Sequence, residues 1–173
     1  MIVDKAIKIK YLLLDVDGVL TNGLLFYGHH DEVTRAFHIH DGLGIKLLQK
    51  TGILIGIISA KKSDAVLKRL GDLDIQHIYL GYEKKLPAFL DFKETMQAED
   101  HSIAYMGDDL PDLPLLKRAG LSITVPHAPE IIKQQVDYVT KKKAGKGAVR
   151  EVCEFIMTAQ DTFSTIINSY LNY

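Results

Sequence analysis

Five short segments that are apolar on both faces constrain the fold of this chain more than any other feature of its sequence. They span residues 11–16, 53–59, 77–81, 103–108 and 121–125. Short runs that are apolar on both faces are typical of strands buried between two layers. Apolar residues at helical spacing mark the segments between them, notably 43–52, 62–71 and 85–97. Strand and helix therefore alternate, which predicts an α/β fold, a doubly wound parallel sheet in a three-layer α/β/α sandwich.

Glycine and proline punctuate the predicted helices. Gly52 and Gly71 stand at the ends of the first two helical segments, where each is predicted to serve as a C-terminal cap. Pro111 suits the first turn of a further helix, which is predicted to end near Gly120.

One stretch breaks the alternation directly after the first predicted strand. Residues 24–40 have the pattern of two strands around a tight turn at 28–32, which predicts an inserted β-hairpin. An isolated two-stranded ribbon is only marginally stable in water, so its apolar side chains are predicted to pack against their own domain or another subunit. These side chains are Leu25, Tyr27, Val33 and Phe37.

The C-terminal part of the sequence is predicted to be a helical tail over residues 147–172. Two segments with apolar stripes make up this tail, 147–160 and 161–173. The stripes favour packing in the core or between subunits, with binding of a separate partner as the alternative. The first stripe consists of Val149, Val152, Cys153, Ile156 and Met157.

Size and charge narrow the classes of function. At 173 residues the chain is predicted to form a single domain, residues 1–173. A net charge of −1 argues against nucleic acid or an anionic membrane as a partner. Cys153 is the only cysteine, so an internal disulfide is excluded and a reducing compartment is favoured. With no apolar run near the ~20 residues that span a bilayer, and no secretory pattern at the start, we expect a cytoplasmic protein.

Polar side chains gather at the carboxyl ends of the predicted strands, where open α/β sheets bind ligands. They are Asp15 and Asp17 after the first strand, Ser59 after the second, Lys84 and Lys85 after the third, and Asp108, Asp109 and Asp112 after the fourth. Each of these residues alone could be a turn or cap residue. Their recurrence at successive strand ends instead predicts one shared site.

The chemistry of this set favours a divalent cation and a phosphate. Clustered carboxylates repel one another unless a cation compensates, and oxygen ligands of this kind select Mg²⁺. The hydroxyl and ammonium groups can bind the remaining phosphate oxygens. The sequence has no histidine and cysteine spacing typical of zinc sites and no P-loop motif.

These residues match the motifs of a known superfamily. The chain resembles the haloacid dehalogenase superfamily in "DVDGVLT" (15–21), the strand-end Ser59, Lys85 and "GDDLPD" (107–112). Within it, "FHIHDGLGIKLL", "ISAKKS" and "GAVREVCEFI" resemble the family of 3-deoxy-D-manno-octulosonate 8-phosphate (KDO 8-phosphate) phosphatases. The resemblance covers nearly the whole chain up to about residue 160. It implies a Rossmann-like fold without a cap domain and a role in lipopolysaccharide core biosynthesis.

The resemblance also implies catalytic roles. Asp15 would be the nucleophile that forms an aspartyl-phosphate, and Asp17 the acid that protonates the leaving sugar oxygen and later activates water. Lys85 would neutralise the nucleophile and the phosphate. Ser59 would bind a phosphate oxygen, together with the rest of its "SAK" motif, Ala60 and Lys61.

The cofactor implied by the resemblance is Mg²⁺. Its ligands would be the side chains of Asp15 and Asp108 and the backbone carbonyl of Asp17. Asp109 and Asp112 would act one step away, Asp109 by orienting metal-bound water and Asp112 by positioning Lys85.

The family further implies a homo-oligomer, a tetramer assembled through the hairpin. Neither the interval from Asp15 to Ser59 nor that from Lys85 to Asp108 leaves room for a cap domain. A neighbouring subunit would instead exclude water and contact the sugar, with His38 and His40 on one face of its hairpin strand. The tail around Gly145 would contribute from residues 144–150.

Two substitutions weaken the substrate assignment. Lys61 and His40 stand where many family members have arginine. Lysine lacks the planar fork that matches a carboxylate, and histidine is only partly charged at neutral pH. The alternative to substrate binding by His38 and His40 is that both lie on a solvent-exposed face of the hairpin.

Three alternatives to the KDO 8-phosphate reaction stay open. One is the same chemistry on a nine-carbon sugar acid phosphate of the sialic acid type. A non-catalytic assembly subunit is the second. The third is a receiver-type signalling domain, which the order of the acidic motifs along the chain disfavours.

Overall fold

The computed structural model describes residues 1–29 and 33–172. Its centre is a six-stranded sheet in the order β5-β4-β1-β6-β7-β8, in which every neighbouring pair is parallel. The strands are β1 (Tyr11–Leu14), β4 (Leu54–Ser59), β5 (His77–Leu80), β6 (Ile103–Met106), β7 (Leu121–Thr124) and β8 (Tyr138–Val139). A separate antiparallel pair joins β2 (Phe26–Tyr27) to β3 (Val33–Thr34).

Helices flank the sheet and complete the predicted α/β sandwich. They are α1 (Ile2–Ala6), α2 (Ile39–Lys50), α3 (Asp64–Asp72), α4 (Leu86–Met96), α5 (Leu113–Leu116), α6 (Glu130–Lys133), α7 (Ala148–Ala159) and α8 (Phe163–Leu171). All four residues of β6 are buried, and because successive side chains of a strand point to opposite faces, both faces of the sheet are covered. The predicted fold class is therefore confirmed.

The five predicted strands are all present, and the sheet adds a sixth. β8 pairs with β7 through Ile123 and Tyr138 and through Thr124 and Val139. Its two residues are too few to give an alternation pattern, which explains why the sequence did not predict it. The first strand ends at Leu14, so Asp15 and Asp17 both lie in the turn beyond it.

The predicted helix caps have mixed outcomes. Gly52 follows α2 with φ of +90°, the left-handed conformation expected of a C-terminal cap. The prediction for Gly71 is wrong, because α3 continues to Asp72 and the left-handed residue is Asp74, with φ of +54°. Pro111 lies in the short 3₁₀ turn Leu110–Asp112, which leads into α5.

The predicted hairpin is present but shorter than residues 24–40. Among the described residues of the hairpin, two residues of each strand pair, and an isolated bridge joins Thr21 to Phe37. Residues 30–32 of the predicted turn lie outside the described residues. The prediction that His38 and His40 share one face of a hairpin strand is wrong, because α2 already begins at Ile39.

A local cap explains this early start of α2. Nδ1 of His38 accepts a hydrogen bond from the backbone N–H of His40 at 3.3 Å, so His38 is the N-cap. His40 therefore lies in the first helical turn, where it is exposed and its ring lies 5.0 Å from that of His38. A histidine cap gives a weak sequence signal, since serine, threonine and aspartate dominate that position.

The helical tail packs in the core, one of the arrangements that its apolar stripes predict. All five residues of the first predicted stripe are buried in α7, which packs against α2. No residue of α8 is fully buried, although Phe163 and Ile166 pack against the core. Within residues 1–29 and 33–172, no helix is long and apolar enough to cross a membrane.

Candidate active site

The loop after β1 carries the first two predicted catalytic residues. Gly18 has φ of +88°, and a Cβ at this position would overlap the carboxylate of Asp108. Only glycine fits both the backbone conformation and the space. The two carboxylates leave this turn in different directions. Asp15 contacts Lys85, whereas Asp17 contacts Arg35 of the hairpin.

A buried lysine joins two of the predicted carboxylates. Nζ of Lys85 lies 2.9 Å from Oδ2 of Asp15 and 2.6 Å from Oδ1 of Asp112. The Lys85 side chain is only 2% exposed. An ammonium buried to this extent is stable only when it is paired and hydrogen-bonded, and the two carboxylates provide both.

Both oxygens of Asp112 are occupied by donors from the chain. Oδ1 accepts from Lys85 and, at 2.5 Å, from the hydroxyl of Tyr105. Oδ2 accepts from the backbone N–H groups of Asp108 at 2.9 Å and Asp109 at 3.2 Å. The sequence did not point to Tyr105, a fully buried residue of β6 that looked like an ordinary core residue. Asp112 is thus an anchor that orients Lys85 and the turn after β6.

Three carboxylates are close enough to share a cation. One oxygen each from Asp15, Asp108 and Asp112 lies within 4.8 Å of the others. Because four donors already use the oxygens of Asp112, the oxygens that can bind a metal belong to Asp15 and Asp108. Carboxylate oxygens in this number fit a hard divalent cation such as Mg²⁺.

The electrostatics of the cluster also favour binding of a cation. Burial, followed by the charge of Asp112, raises the pKa of Asp15 to about 7 and that of Asp108 to about 7. Burial lowers the pKa of Lys85, but Asp15 and Asp112 outweigh it and the net pKa is raised. The lysine charge alone therefore does not compensate the carboxylates, and a divalent cation would.

Asp17 is held by an arginine that the sequence did not reveal. Nε of Arg35 donates to Oδ1 of Asp17 at 2.7 Å, and Nη2 donates to Oδ2 at 3.1 Å. The Arg35 side chain is only 4% exposed. Nothing in the local sequence pattern marks Arg35 as buried, whereas the two histidines of the predicted hairpin strand, His38 and His40, were the predicted contribution of the hairpin.

Comparisons with known proteins identify the family of the chain. A family model for haloacid dehalogenase-like hydrolases matches residues 83–152. The KDO 8-phosphate phosphatase KdsC of Escherichia coli strain K12 is 41% identical over 159 residues, which are 92% of this chain and 85% of the relative. The chain belongs to the KDO 8-phosphate phosphatase family of haloacid dehalogenase-like hydrolases.

Solved structures of family members have the same fold. The phosphatase of Moraxella catarrhalis, in complex with magnesium, phosphate and KDO, is 41% identical with a TM-score of 0.96, over 98% of this chain and 97% of that one. The cobalt-bound enzyme of Haemophilus influenzae is 39% identical with a TM-score of 0.88, over 91% and 92% of the two chains.

The second motif of this family member lies on the strand next to β1. Ser59 ends β4 and is buried, and its carbonyl accepts the backbone N–H groups of Gly81 and Tyr82. Ala60 and Lys61 follow at the same edge of the sheet, as predicted from the parallel topology. Lys61 lines a cavity of about 520 Å³ between the hairpin and α3, together with Arg35.

The predicted tail glycine lies against the first catalytic loop. Gly145 has φ of +61°, and its N–H donates to the carbonyl of Val19 at 3.3 Å. A Cβ at this position would lie 2.6 Å from the backbone nitrogen of Asn22. The tail is therefore brought to the rim of the site, whereas His40 lies on the exposed first turn of α2.

Asp41 anchors this tail and was also missed in the sequence. Its buried carboxylate accepts the backbone N–H groups of Gly147 at 3.2 Å and Arg150 at 2.8 Å, so a residue of α2 caps α7. Gly44 permits the close approach, since a Cβ there would lie 2.9 Å from the Cα of Arg150. Two glycines within one helix were the available signal, because glycine inside a helix is costly without a packing reason.

Proposed function

We propose that this protein is a Mg²⁺-dependent phosphatase that hydrolyses KDO 8-phosphate to the free sugar acid and phosphate. The observation that carries this proposal is the buried arrangement of Asp15, Lys85 and Asp112 beside Asp108. It combines a candidate nucleophile, a fixed cation and a place for a metal ion at one edge of the sheet. Relatives that are 41% identical over 92% of the chain bear the name of this activity.

Asp15 is the nucleophile in the proposed reaction. One of its oxygens attacks phosphorus, and the hydrogen bond from Lys85 orients the carboxylate for this step. Lys85 also offsets the negative charge that the phosphate brings into the buried site. Asp112 keeps Lys85 in place, since it is held by Tyr105 and by two backbone N–H groups.

The metal ion has a defined set of ligands in this proposal. The side chains of Asp15 and Asp108 and the backbone carbonyl of Asp17 would hold Mg²⁺. When bound, it supplies positive charge that polarises the phosphate and offsets the repulsion between the carboxylates. Asp109, whose side chain caps the N–H of Leu110 at 2.8 Å, stays beside the turn that positions Asp108.

Asp17 handles protons in both halves of the reaction. It protonates the sugar oxygen as the bond from that oxygen to phosphorus breaks, and it later accepts a proton from the water that hydrolyses the aspartyl-phosphate. Its side chain is 28% exposed, which leaves it accessible to a substrate. Ser59 donates to a phosphate oxygen from the neighbouring strand end.

The cavity beside the hairpin is the proposed site for the sugar. Lys61 and Arg35 line it, and because three donors of Arg35 already bind Asp17 and Ser63, Lys61 offers the positive charge for the carboxylate of a sugar acid. Lys61 and His40 stand where the resemblance to the family leads us to expect arginine, which keeps a nine-carbon sugar acid phosphate as the second candidate substrate. In both cases the chemistry at phosphorus is the same.

We also propose that the active unit is a cytoplasmic homo-oligomer, a tetramer formed through the hairpin. Apolar side chains of the hairpin and the start of α2 are strongly exposed in the single chain, namely Phe26 at 55%, Tyr27 at 77% and Ile39 at 76%. Large apolar side chains with this degree of exposure favour an interaction surface in this part of the chain. The tail near Gly145 lies against the loop of its own chain that carries Asp15 and Asp17, so it would border the substrate within the same subunit, and the neighbouring subunit would cover the site with its hairpin.

Phosphate release from a panel of substrates tests the proposal. The panel contains KDO 8-phosphate, nine-carbon sugar acid 9-phosphates and neutral sugar phosphates, each with Mg²⁺ and with EDTA. We expect the highest kcat/KM for KDO 8-phosphate and loss of turnover in EDTA. Preference for a nine-carbon substrate would replace the first candidate by the second, and absence of release from every substrate would exclude a phosphatase.

A further inference from the structure

We propose that Arg35 is a positioning residue that holds the carboxylate of Asp17 in the orientation needed for proton transfer. This inference rests on the proposed phosphatase reaction and assigns a function to a residue of the hairpin. The hairpin would then contribute to catalysis within its own chain, in addition to any role between subunits. The observation behind it is the two-point contact between the guanidinium and both oxygens of Asp17.

The geometry of this contact restricts rotation of the Asp17 carboxylate. Two parallel N–H donors from one planar group fix the plane of a carboxylate, which a single ammonium does not. Oγ1 of Thr21 lies 3.4 Å from Oδ1 of Asp17 and approaches the same oxygen. Each carboxylate oxygen has a second lone pair, so the contact leaves Asp17 able to bind a proton or a substrate oxygen.

Burial distinguishes this pair from an ordinary surface ion pair. The Arg35 side chain is 4% exposed, and its third donor, Nη1, reaches Oγ of Ser63 at 3.2 Å. Removing a guanidinium from water is costly unless its donors are satisfied, and here Asp17 and Ser63 satisfy three of them. These contacts fix the position of the Arg35 guanidinium, which in turn fixes the orientation of the Asp17 carboxylate.

The chemistry depends on where Asp17 points. In the first step an oxygen of Asp15 bonds to phosphorus, the bond from phosphorus to the sugar oxygen breaks, and the proton of Asp17 moves to that oxygen. In the second step the oxygen of water bonds to phosphorus, the bond to Asp15 breaks, and Asp17 takes a proton from the water. A misplacement of ~1 Å can slow such a step by about 100-fold.

Leaving groups of different basicity separate this role from a general structural one. An alkyl leaving group such as a sugar oxygen needs the proton of Asp17, whereas p-nitrophenolate leaves as a stable anion without it. For Arg35→Gln we expect kcat for KDO 8-phosphate to fall by about 10-fold to 100-fold with little change in KM. The first turnover of p-nitrophenyl phosphate, followed by stopped-flow absorbance, should stay near the wild-type rate.

A double-mutant cycle tests whether Arg35 acts through Asp17. Asp17→Asn already removes proton transfer, so adding Arg35→Gln should cause no further loss on KDO 8-phosphate. Arg118→Gln is the matched control, because it removes another arginine that pairs with an aspartate, Asp100, at the amino end of β6 and away from the site, and we expect near wild-type activity. If Arg35→Gln does not fold, Arg35→Lys takes its place, since it keeps the buried charge but lacks the fork.

Two results would overturn the inference. One is an equal loss on KDO 8-phosphate and on the first turnover of p-nitrophenyl phosphate. The other is a double variant that is slower than Asp17→Asn by the full factor of Arg35→Gln. Either result requires an active wild-type enzyme, so it differs from failure of the proposed function, in which the wild type releases no phosphate from any substrate.

Discussion

The carboxylate cluster and the hairpin are neighbours in this molecule, but the cluster is buried in the core and the hairpin is largely exposed. Asp15, Lys85 and Asp112 are buried at the carboxyl end of a parallel sheet, where Lys85 contacts both carboxylates. The hairpin has two-residue strands and exposed apolar side chains. In the proposed function, the chemistry at phosphorus therefore belongs to the buried core, whereas substrate recognition belongs to a segment that a second subunit would complete.

Arg35 is the contact that joins the two regions. It belongs to the hairpin by its place in the chain, yet its side chain is as buried as those of the cluster. Changes to the cluster should therefore abolish the reaction, and changes to the exposed hairpin should alter assembly more than chemistry.

Removal of the nucleophile should have the largest effect. Asp15→Asn should lower phosphate release from KDO 8-phosphate by about 10⁴-fold or more, because no other carboxylate can form the aspartyl-phosphate. The melting temperature in EDTA should not fall. Burial raises the pKa of the Asp15 carboxyl group to about 7, so its ionisation opposes folding, and asparagine carries no charge. Residual activity close to the wild type would refute the assignment of Asp15.

Loss of the buried lysine should cost stability as well as activity. Lys85→Met leaves the carboxylates of Asp15 and Asp112 without their shared cation, and we expect a loss of about 3–5 kcal/mol in the free energy of unfolding. Urea unfolding in EDTA measures this. The control is Lys46→Met at the pair with the largely exposed Asp74, where the change should be small. Equal effects at both sites would contradict the distinction between core and surface.

Metal removal should reveal the repulsion within the cluster as a dependence of stability on pH. The pKa values of Asp15 and Asp108 are about 7 in the folded chain, above the ordinary value of 3.8. Their contribution to stability is present below the ordinary value and is lost as pH rises towards 7. In EDTA the melting temperature should fall between pH 5 and pH 8, and Mg²⁺ should restore it most at pH 8.

The double variant Asp15→Asn, Asp108→Asn serves as the control for this dependence. It should flatten the melting temperature over the same range, because both raised carboxyl groups are gone. A decline in EDTA that persists unchanged in this variant would assign the pH dependence to other residues.

The exposed hairpin should show the smallest effect on the stability of the single chain. Replacement of Phe26 and Tyr27 by serine removes no buried contact, so the free energy of unfolding should change by about 0.5 kcal/mol or less. Size-exclusion chromatography with light scattering should show dissociation of the oligomer. An unchanged oligomer would place the interface elsewhere. Phe37→Ala is the contrasting change, since Phe37 packs against the core and its loss should destabilise the chain.

Much of the fold could be predicted from the sequence because its signals are local. Apolar runs on β1, β4 and β6 and the glycine after α2 follow from the length of buried strands and the conformational freedom of glycine. The shared edge of Asp15, Ser59 and Asp108 follows from parallel topology. The extent of the hairpin and the position of His40 were not predictable, because a two-residue pairing and a histidine cap leave almost no pattern.

By itself, the sequence determined the α/β fold, the residues gathered at the sheet edge and the family. The alternation of apolar segments along the chain encodes the fold and the shared sheet edge, and short motifs such as residues 15–21 and 107–112 carry the resemblance to the family. Tertiary structure alone decided further partners of these residues: Tyr105 on Asp112, Arg35 on Asp17, and Asp41 on the start of α7. Such pairs are distant in sequence, and burial gives them their strength because a charged group removed from water requires a partner that only the folded chain supplies.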